Sequence, residues 1–391
     1  MIATELKSKL QNKVEKTKNG HTIVGPHDPS IPPLQRAQDH LFLIGEVYGN
    51  GHPASAATPE MIMTSQESGD MLTWLLYENG QAVGMANMEV LPNGIGELCR
   101  TCRLPVGTQL QDGTTLRREV KNTAAMYQRL LDVLTNPDMA SRLAIIQADL
   151  RLAEEISIPG SEPLDAGVKT QHINFEAGLS PWLLCVPRYQ VHIEGKEPHQ
   201  EAFLQSRMYL QPENISTEPL YLYTNSTQVV SNEEIAKATY EYAYNASPTI
   251  VHESETTAPG YSRLERTADI HFSTIYASGN IEAEQLQAQV AEGLNQSRMV
   301  EVIIENAPEN IAAQKAAEKA GLIPMGVQPG GTFDVAGSKI TIPTTIHYGT
   351  ARPEVRKRIV PIEVARELKN TMIENVTHKL HQQWLQVEHI N

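Results

Sequence analysis

Apolar residues along this chain alternate between two rhythms. Ile2, Leu6, Leu10 and Val14 recur every fourth position, one stripe of a short helix that Gly20 ends. Residues 21–35 are rich in Pro and Gly and read as an extended arm. A helix is predicted over Leu34–Tyr48, followed by a loop, NGHPASAATPE. From 71 to 104 the pattern becomes that of strands: Leu72–Tyr77, Gln81–Val90 and Ile95–Leu104. The turn signals Glu78-Asn79-Gly80 and Pro92-Asn93-Gly94 separate them. A loop, PVGTQLQDG, then leads to a predicted helix from Thr114 to about Leu134. A buried strand is predicted over Leu143–Leu150, and a short helix before Gly178 precedes a strand over Trp182–Val186. One or two further strands lie within 188–210.

The second half repeats this alternation. Tyr221–Tyr223 reads as a strand and Asn232–Tyr244 as a helix opened by Ser231. A strand over Ile270–Ile275 and a helix over Ala283–Leu294 precede Met299–Glu305, a β-branched strand. An alanine-rich helix over Asn310–Ala320 stops at Gly321. Strands follow at 322–328 and 339–348. Leu368, Met372, Val376, Leu380 and Trp384 give a terminal helix over 362–388 one apolar face.

The halves share a local signature. Glu-Ala-Gly-Leu-Ser-Pro at 176–181 and Lys-Ala-Gly-Leu-Ile-Pro at 319–324 agree at Ala, Gly, Leu and Pro, and both follow strand, loop and helix. Gly178 and Gly321 sit where a helix takes a left-handed C-terminal residue, and Pro181 and Pro324 prevent its continuation. Duplication of one α/β unit is the expectation. A length of 391 residues suits two or three domains.

Composition narrows the function classes. Asp and Glu number 46 against 32 Lys and Arg, a net charge of −14. Such a chain is a poor general binder of nucleic acid or anionic membrane. Three cysteines build no disulfide framework, and no apolar run suffices to span a bilayer, so a soluble cytoplasmic protein is expected. Cys99 and Cys102 lie within a strand, where alternation places them on opposite faces; a metal or redox pair is not expected. The segment PRYQVHIEGKEPHQE gathers Glu194, Glu197, His199 and Glu201, and reads as a solvated polar hairpin.

The segment MVEVIIENAPENIAAQKAAEKAGLIPMGV resembles the closing portion of a GCN5-related N-acetyltransferase (GNAT) domain, and the meander at 71–104 with the helix after it resembles that family's central portion. The resemblance implies two GNAT-like domains, at 34–212 and 217–352, each a mixed, mostly antiparallel sheet flanked by helices. An N-terminal helix and arm (1–33) precede them, and the long C-terminal helix (353–391) follows. It implies an acyl-CoA-dependent N-acyltransferase moving an acyl group, in the first instance acetyl from acetyl-CoA, to a small-molecule or peptide amine. The alternative is a catalytically degenerate binding or assembly protein, and the C-terminal helix offers a homodimer contact.

In that family a basic residue or Gln, two spacers and Gly-x-Gly or Gly-x-Ala bind the cofactor pyrophosphate at a helix N-terminus, where backbone donors are free. Here the loop holds Gly107 and Gly113, six apart with Asp112 between them. The implied cofactor contacts are Leu104, Val106, Gly107, Gly113, Thr114, Arg117, Arg118 and Asn174. Glu97, on the fourth strand of the resemblance, is the implied base for the acceptor amine, with Glu89 the weaker alternative. The family's tyrosine acid is replaced by Asn174 and Ala317 in the two halves, and Tyr189 is the substitute candidate.

Overall fold

The computed structural model of this chain describes residues 2–18, 20–49, 53–151, 170, 173–185, 190–191, 199–200, 203–216, 218, 220–223, 250–252, 259–266, 272–297 and 299–351. The N-terminal stripe forms α1 (Ile2–Thr17), with Leu10 and Val14 buried. Short β1 (Thr22–Val24) and α2 (Pro33–Tyr48) follow. A helix α3 (Pro59–Glu67) starts in the last two residues of the segment read as loop. Thr58 caps it by accepting from the Met61 N–H, and Pro59 takes the first turn, where no donor is lost. The meander is β2 (Met71–Glu78), β3 (Gln81–Val90) and β4 (Ile95–Arg103).

The helix predicted from Thr114 begins nine residues later, as α4 (Thr123–Thr135). Residues 105–116 fold back on themselves instead. The Leu110 N–H donates to the Thr114 carbonyl, Leu116 to Thr108, and Gly107 to Leu116. Gly107 and Gly113, at φ of 96° and 82°, supply left-handed turns that other residues resist. The Asp112 carboxylate accepts from both the N–H and the hydroxyl of Thr114, a local bond that competes with helix.

Short α5 (Pro137–Ser141) leads to β5 (Ile145–Arg151). Next come β6 (Ser180–Cys185), the two-residue strands β7 (Gln190–Val191) and β8 (His199–Gln200), and β9 (Phe203–Tyr209). Beyond them lie β10 (Leu220–Leu222), β11 (Ile250–His252), β12 (Tyr261–Arg266), β13 (Phe272–Ser278) and α6 (Ala283–Gln296). β14 (Met299–Glu305), α7 (Ile311–Lys319), β15 (Ile323–Gln328), the hairpin β16 (Gly331–Val335) and β17 (Ser338–Ile342), and β18 (Thr345–Ala351) complete the described chain. The single strand predicted at 339–348 is thus two, parted at Pro343. The predicted helices at 232–244 and 362–388 lie outside the described residues.

Twelve strands make one sheet, ordered β1-β2-β3-β4-β5-β9-β6-β15-β18-β14-β13-β12. The order β4-β5-β9-β6 on one side is matched by β13-β14-β18-β15 on the other. In each run the first pair is parallel and bridged by a helix, and the remaining pairs are antiparallel. The repeated signature closes both helices identically. Leu179 and Leu322 donate to Asn174 and Ala317, five residues back, while Gly178 and Gly321 donate to Phe175 and Glu318, three back. That is the Schellman closure, and both glycines are left-handed, at φ of 99° and 81°. The strands that follow, β6 and β15, meet antiparallel at Leu183 and Gly326 and join the sheet into one. The hairpin β16–β17 reaches back across this join. Its Val335 packs at Gly94, the Ala336 N–H donates to the Ser141 carbonyl, and the Gln211 side chain holds both backbone groups of Asp334.

One prediction about faces fails. The register of β3 against β4 slips so that Met85 faces Cys102 and Asn87 faces Cys99. Arg100, at φ 44°, is the inserted residue of a bulge. Met85 and Asn87 share a face, so the bulge brings Cys99 and Cys102 onto one face also. Burial pushes both thiols up, Cys99 to about 12, which disfavours a free thiolate at either position. Among the described residues no cluster of three or more His, Cys, Asp or Glu could hold a metal.

Candidate active site

β4 and β5 run parallel from Ile95 opposite Ile145 to Leu98 opposite Ala148, where their pairing stops. Both strands continue, to Arg103 and Arg151. A cleft therefore opens between their carboxyl ends, the edge at which α/β sheets bind ligands. The bulge at Arg100 stands at its mouth. It interrupts the β3–β4 ladder beside Asn87, and the buried guanidinium of Arg129, from α4, donates to the Asn87 carbonyl there. Burial lowers the Arg129 pKa to about 10, so it stays charged near neutrality.

Helix α4 starts at this same edge. Arg103, the last residue of β4, donates to the Val120 carbonyl at 2.6 Å and pairs with Glu119, so it holds the lead-in to the helix against the strand end. Asn122 at the helix start makes no side-chain cap. The residues leading in are Arg118-Glu119-Val120-Lys121-Asn122-Thr123. An uncapped helix start carries free N–H groups and positive partial charge.

The side of the cleft facing α2 is polar. On β2 the odd positions face α2 and α3: the Tyr77 hydroxyl donates to Asp39 at 2.6 Å, and the Gln66 amide donates to the Thr73 hydroxyl at 3.2 Å. Asn87 lies opposite Thr73 and Cys99 opposite Asn87, so they continue this face, as do Glu89 and Glu97. Glu89 pairs with Arg100 at 2.5 Å. His40 Nε2, Gln66 Oε1 and both amide atoms of Asn87 are buried without a hydrogen-bond partner among the described residues. Four such atoms in one region call for a bound polar group or water. Burial, aided by Arg100, lowers the His40 pKa to about 3, so its imidazole is neutral.

The implied site residues fall into separate groups. Glu97 is half-buried beside the cleft, opposite Glu89 on β3 and Gln147 on β5. Leu104 is buried at the end of β4, while Val106 is exposed. Gly107, Gly113 and Thr114 belong to the folded-back loop, not to helix α4. Arg117 is exposed and Arg118 pairs with Glu78 at 2.7 Å. Asn174 is buried and donates to the Thr170 carbonyl inside its own helix. Tyr189 lies outside the described residues. Sequence reading missed His40, Asn87, Arg100 and Arg129. The only available signal was Asn87 itself, a polar residue in the otherwise apolar run GMANM.

No family model matches the chain, and no curated protein matches it. Solved structures similar to it include acetyltransferases of the GNAT family. An acetyltransferase of that family from Streptococcus pneumoniae is 12% identical and covers 48% of this chain and 99% of its own, with a TM-score of 0.32. The spermidine N-acetyltransferase of Vibrio cholerae, solved with CoA and spermine, is 9% identical over 49% of this chain and 97% of its own, with a TM-score of 0.31. Likeness this distant leaves the functional reading to the geometry of the site. No helix among the described residues is long and apolar enough to cross a membrane.

Proposed function

We propose that this chain is an acyl-CoA-dependent N-acyltransferase built from two GNAT-like units, with the cofactor held by the first. The observation that carries the reading is the cleft where β4 and β5 part, with a bulge at its mouth and the uncapped start of α4 at its rim. A thioester lying between the two strands would place its diphosphate at that helix start, where backbone N–H groups and Lys121 favour negative charge. Arg117 lies nearby in sequence and is free to turn toward it. The loop bearing Leu104, Val106, Gly107, Gly113 and Thr114 forms the adjoining wall.

The acceptor amine enters from the face of α2, along the half-buried Glu89 and Arg100 toward Glu97. Glu97 takes its proton, directly or through water, and makes the amine nucleophilic. The amine attacks the thioester carbon, the C–S bond breaks, and the proton passes out through Glu97. Tyr189 remains the candidate donor to the leaving thiolate. A cationic acceptor suits the acidic chain. The second unit braces the first, and the protein acts in the cytoplasm.

The glycine-bearing loop spends its N–H groups on its own hydrogen bonds, and Lys121 stands where a glycine would let phosphate approach. These observations favour a second reading, a unit that kept the fold and lost the cofactor. Thermal shift decides between them. Acetyl-CoA at 100 times its dissociation constant stabilises by about 2.7 kcal/mol, while no shift at millimolar acetyl-CoA sinks the enzyme. If the shift appears, Lys121→Glu abolishes it, and Glu97→Gln keeps the shift but slows acylation.

A further inference from the structure

The second half holds a chain of hydrogen bonds with no counterpart among the described residues of the first. Glu301 on β14 meets the Nδ1 of His347 on β18 at 2.8 Å, and the Nε2 of the same ring meets the Thr345 hydroxyl at 2.8 Å. Glu301 and His347 are 1% and 3% exposed, whereas Thr345 is half-buried at the start of its strand. The order is carboxylate, imidazole, hydroxyl. All three lie on the face away from α6. Gly293 of that helix packs on Val300, so Glu301, the next residue, points to the other side. His347 follows by the same alternation, because its neighbour Tyr348 pairs with Val302.

The fold does not require this arrangement. Matching the two signatures sets Ser206, opposite Pro181, against Tyr348, opposite Pro324. The parallel pairs agree with that alignment, since Ile145 faces Tyr209 and Met299 faces Ala351. The first-half equivalents of Glu301, His347 and Thr345 are then Gln147, Gln205 and Phe203. There Gln147 accepts from Arg207 at 2.8 Å, and Gln205 donates to Asp149 at 2.9 Å. The same strand positions thus fold with no acid, imidazole or hydroxyl. A buried acid–imidazole pair is also a weak source of stability, because desolvation offsets its attraction. A hydroxyl held on an imidazole that is itself oriented by a carboxylate is the arrangement that activates a weak nucleophile.

We propose that Thr345 is an activated hydroxyl that accepts an acyl group from an activated ester or thioester, independently of whether the first half binds acyl-CoA. Thr345 Oγ1 forms a bond to the acyl carbon as its proton passes to His347 Nε2. The C–S or C–O bond to the leaving group breaks, and His347 returns the proton to a departing thiolate or to solvent. Glu301 orients the ring and balances its charge while it is protonated. Water or an amine then cleaves the threonine ester.

The test uses the full-length protein and p-nitrophenyl acetate, with release of p-nitrophenolate followed in time and the acetylated peptide located by mass. The expected result is a burst approaching one equivalent with acetyl on Thr345. Thr345→Val abolishes the burst, Thr345→Ser keeps it with the label on the serine, and His347→Gln slows it by about a hundredfold or more. Circular dichroism and an unchanged unfolding midpoint establish that each variant is folded. A folded wild-type protein without label on Thr345, or a burst that survives in Thr345→Val or proceeds at full rate in His347→Gln, overturns the proposal. A missing acetyl-CoA shift bears only on the first half and leaves this result standing.

Discussion

Gly326 and Gly321 lie five residues apart, and both have positive φ, 146° and 81°. Replacing each by Ala separates backbone preference from contact across the join. At Gly321 a Cβ meets nothing within 4 Å. Its cost is the left-handed penalty of about 1–2 kcal/mol, offset by roughly 0.4–1 kcal/mol from the stiffer unfolded chain. At Gly326 a Cβ would stand 2.4 Å from the Trp182 carbonyl oxygen. That neighbour is backbone and cannot rotate away. The added methyl has to push β15 from β6 at the point where they pair, and overpacking of this kind costs about 1–3 kcal/mol beyond the conformational penalty. Gly326→Ala should therefore lose about 2–4 kcal/mol and Gly321→Ala about 1 kcal/mol or less. With urea slopes of about 1–3 kcal/mol per molar, the difference is a midpoint shift of order 1 M. Urea unfolding followed by circular dichroism and by tryptophan fluorescence measures it. Trp182 and Trp74 dominate the fluorescence signal from the described residues. In Gly326→Ala the two signals should also separate, since the halves lose their shared edge. Equal midpoints for the two variants would refute this account of the join.

Native Cys99 and Cys102 should resist a thiol reagent at neutral pH and react on unfolding, because burial holds both thiols protonated; rapid native labelling would contradict it. His40 should make the protein acid-sensitive. Its pKa falls from 6.5 to about 3 on folding, so below pH 6.5 only the unfolded state gains the proton, and stability drops by up to about 1.4 kcal/mol per pH unit. His40→Asn should flatten that slope in urea titrations between pH 6.5 and 4. Glu176 accepts from both Lys13 and Tyr127, each at 2.7 Å, and so ties α1 to α4. Tyr127→Phe should cost about 1 kcal/mol in unfolding free energy, and no change would mean the tie is idle.

Local information was legible wherever one residue's neighbours in sequence are also its neighbours in space. The strand Met299–Glu305 was read to its ends because Val300, Val302, Ile303 and Ile304 crowd four β-branched residues into seven positions. The helix closures at Gly178 and Gly321 were read because a left-handed residue and the donors beside it lie within one turn. The start of α4 was misread because the helical spacing of its apolar residues does not report Asp112 bonding Thr114, nor the loop closing on itself. The faces of Cys99 and Cys102 were misread because one inserted residue, Arg100, reverses alternation, and a bulge is set by the partner strand. The lining of the cleft could not be read from spacing. The cleft exists because β4 and β5 stop pairing after Leu98 and Ala148, and its polar lining combines α2, β2, β3 and α4. The Glu301–His347–Thr345 chain likewise joins positions 46 residues apart in sequence. Periodicity and capping are local and belong to the sequence; pairing, register and burial are long-range, and tertiary structure alone decided them.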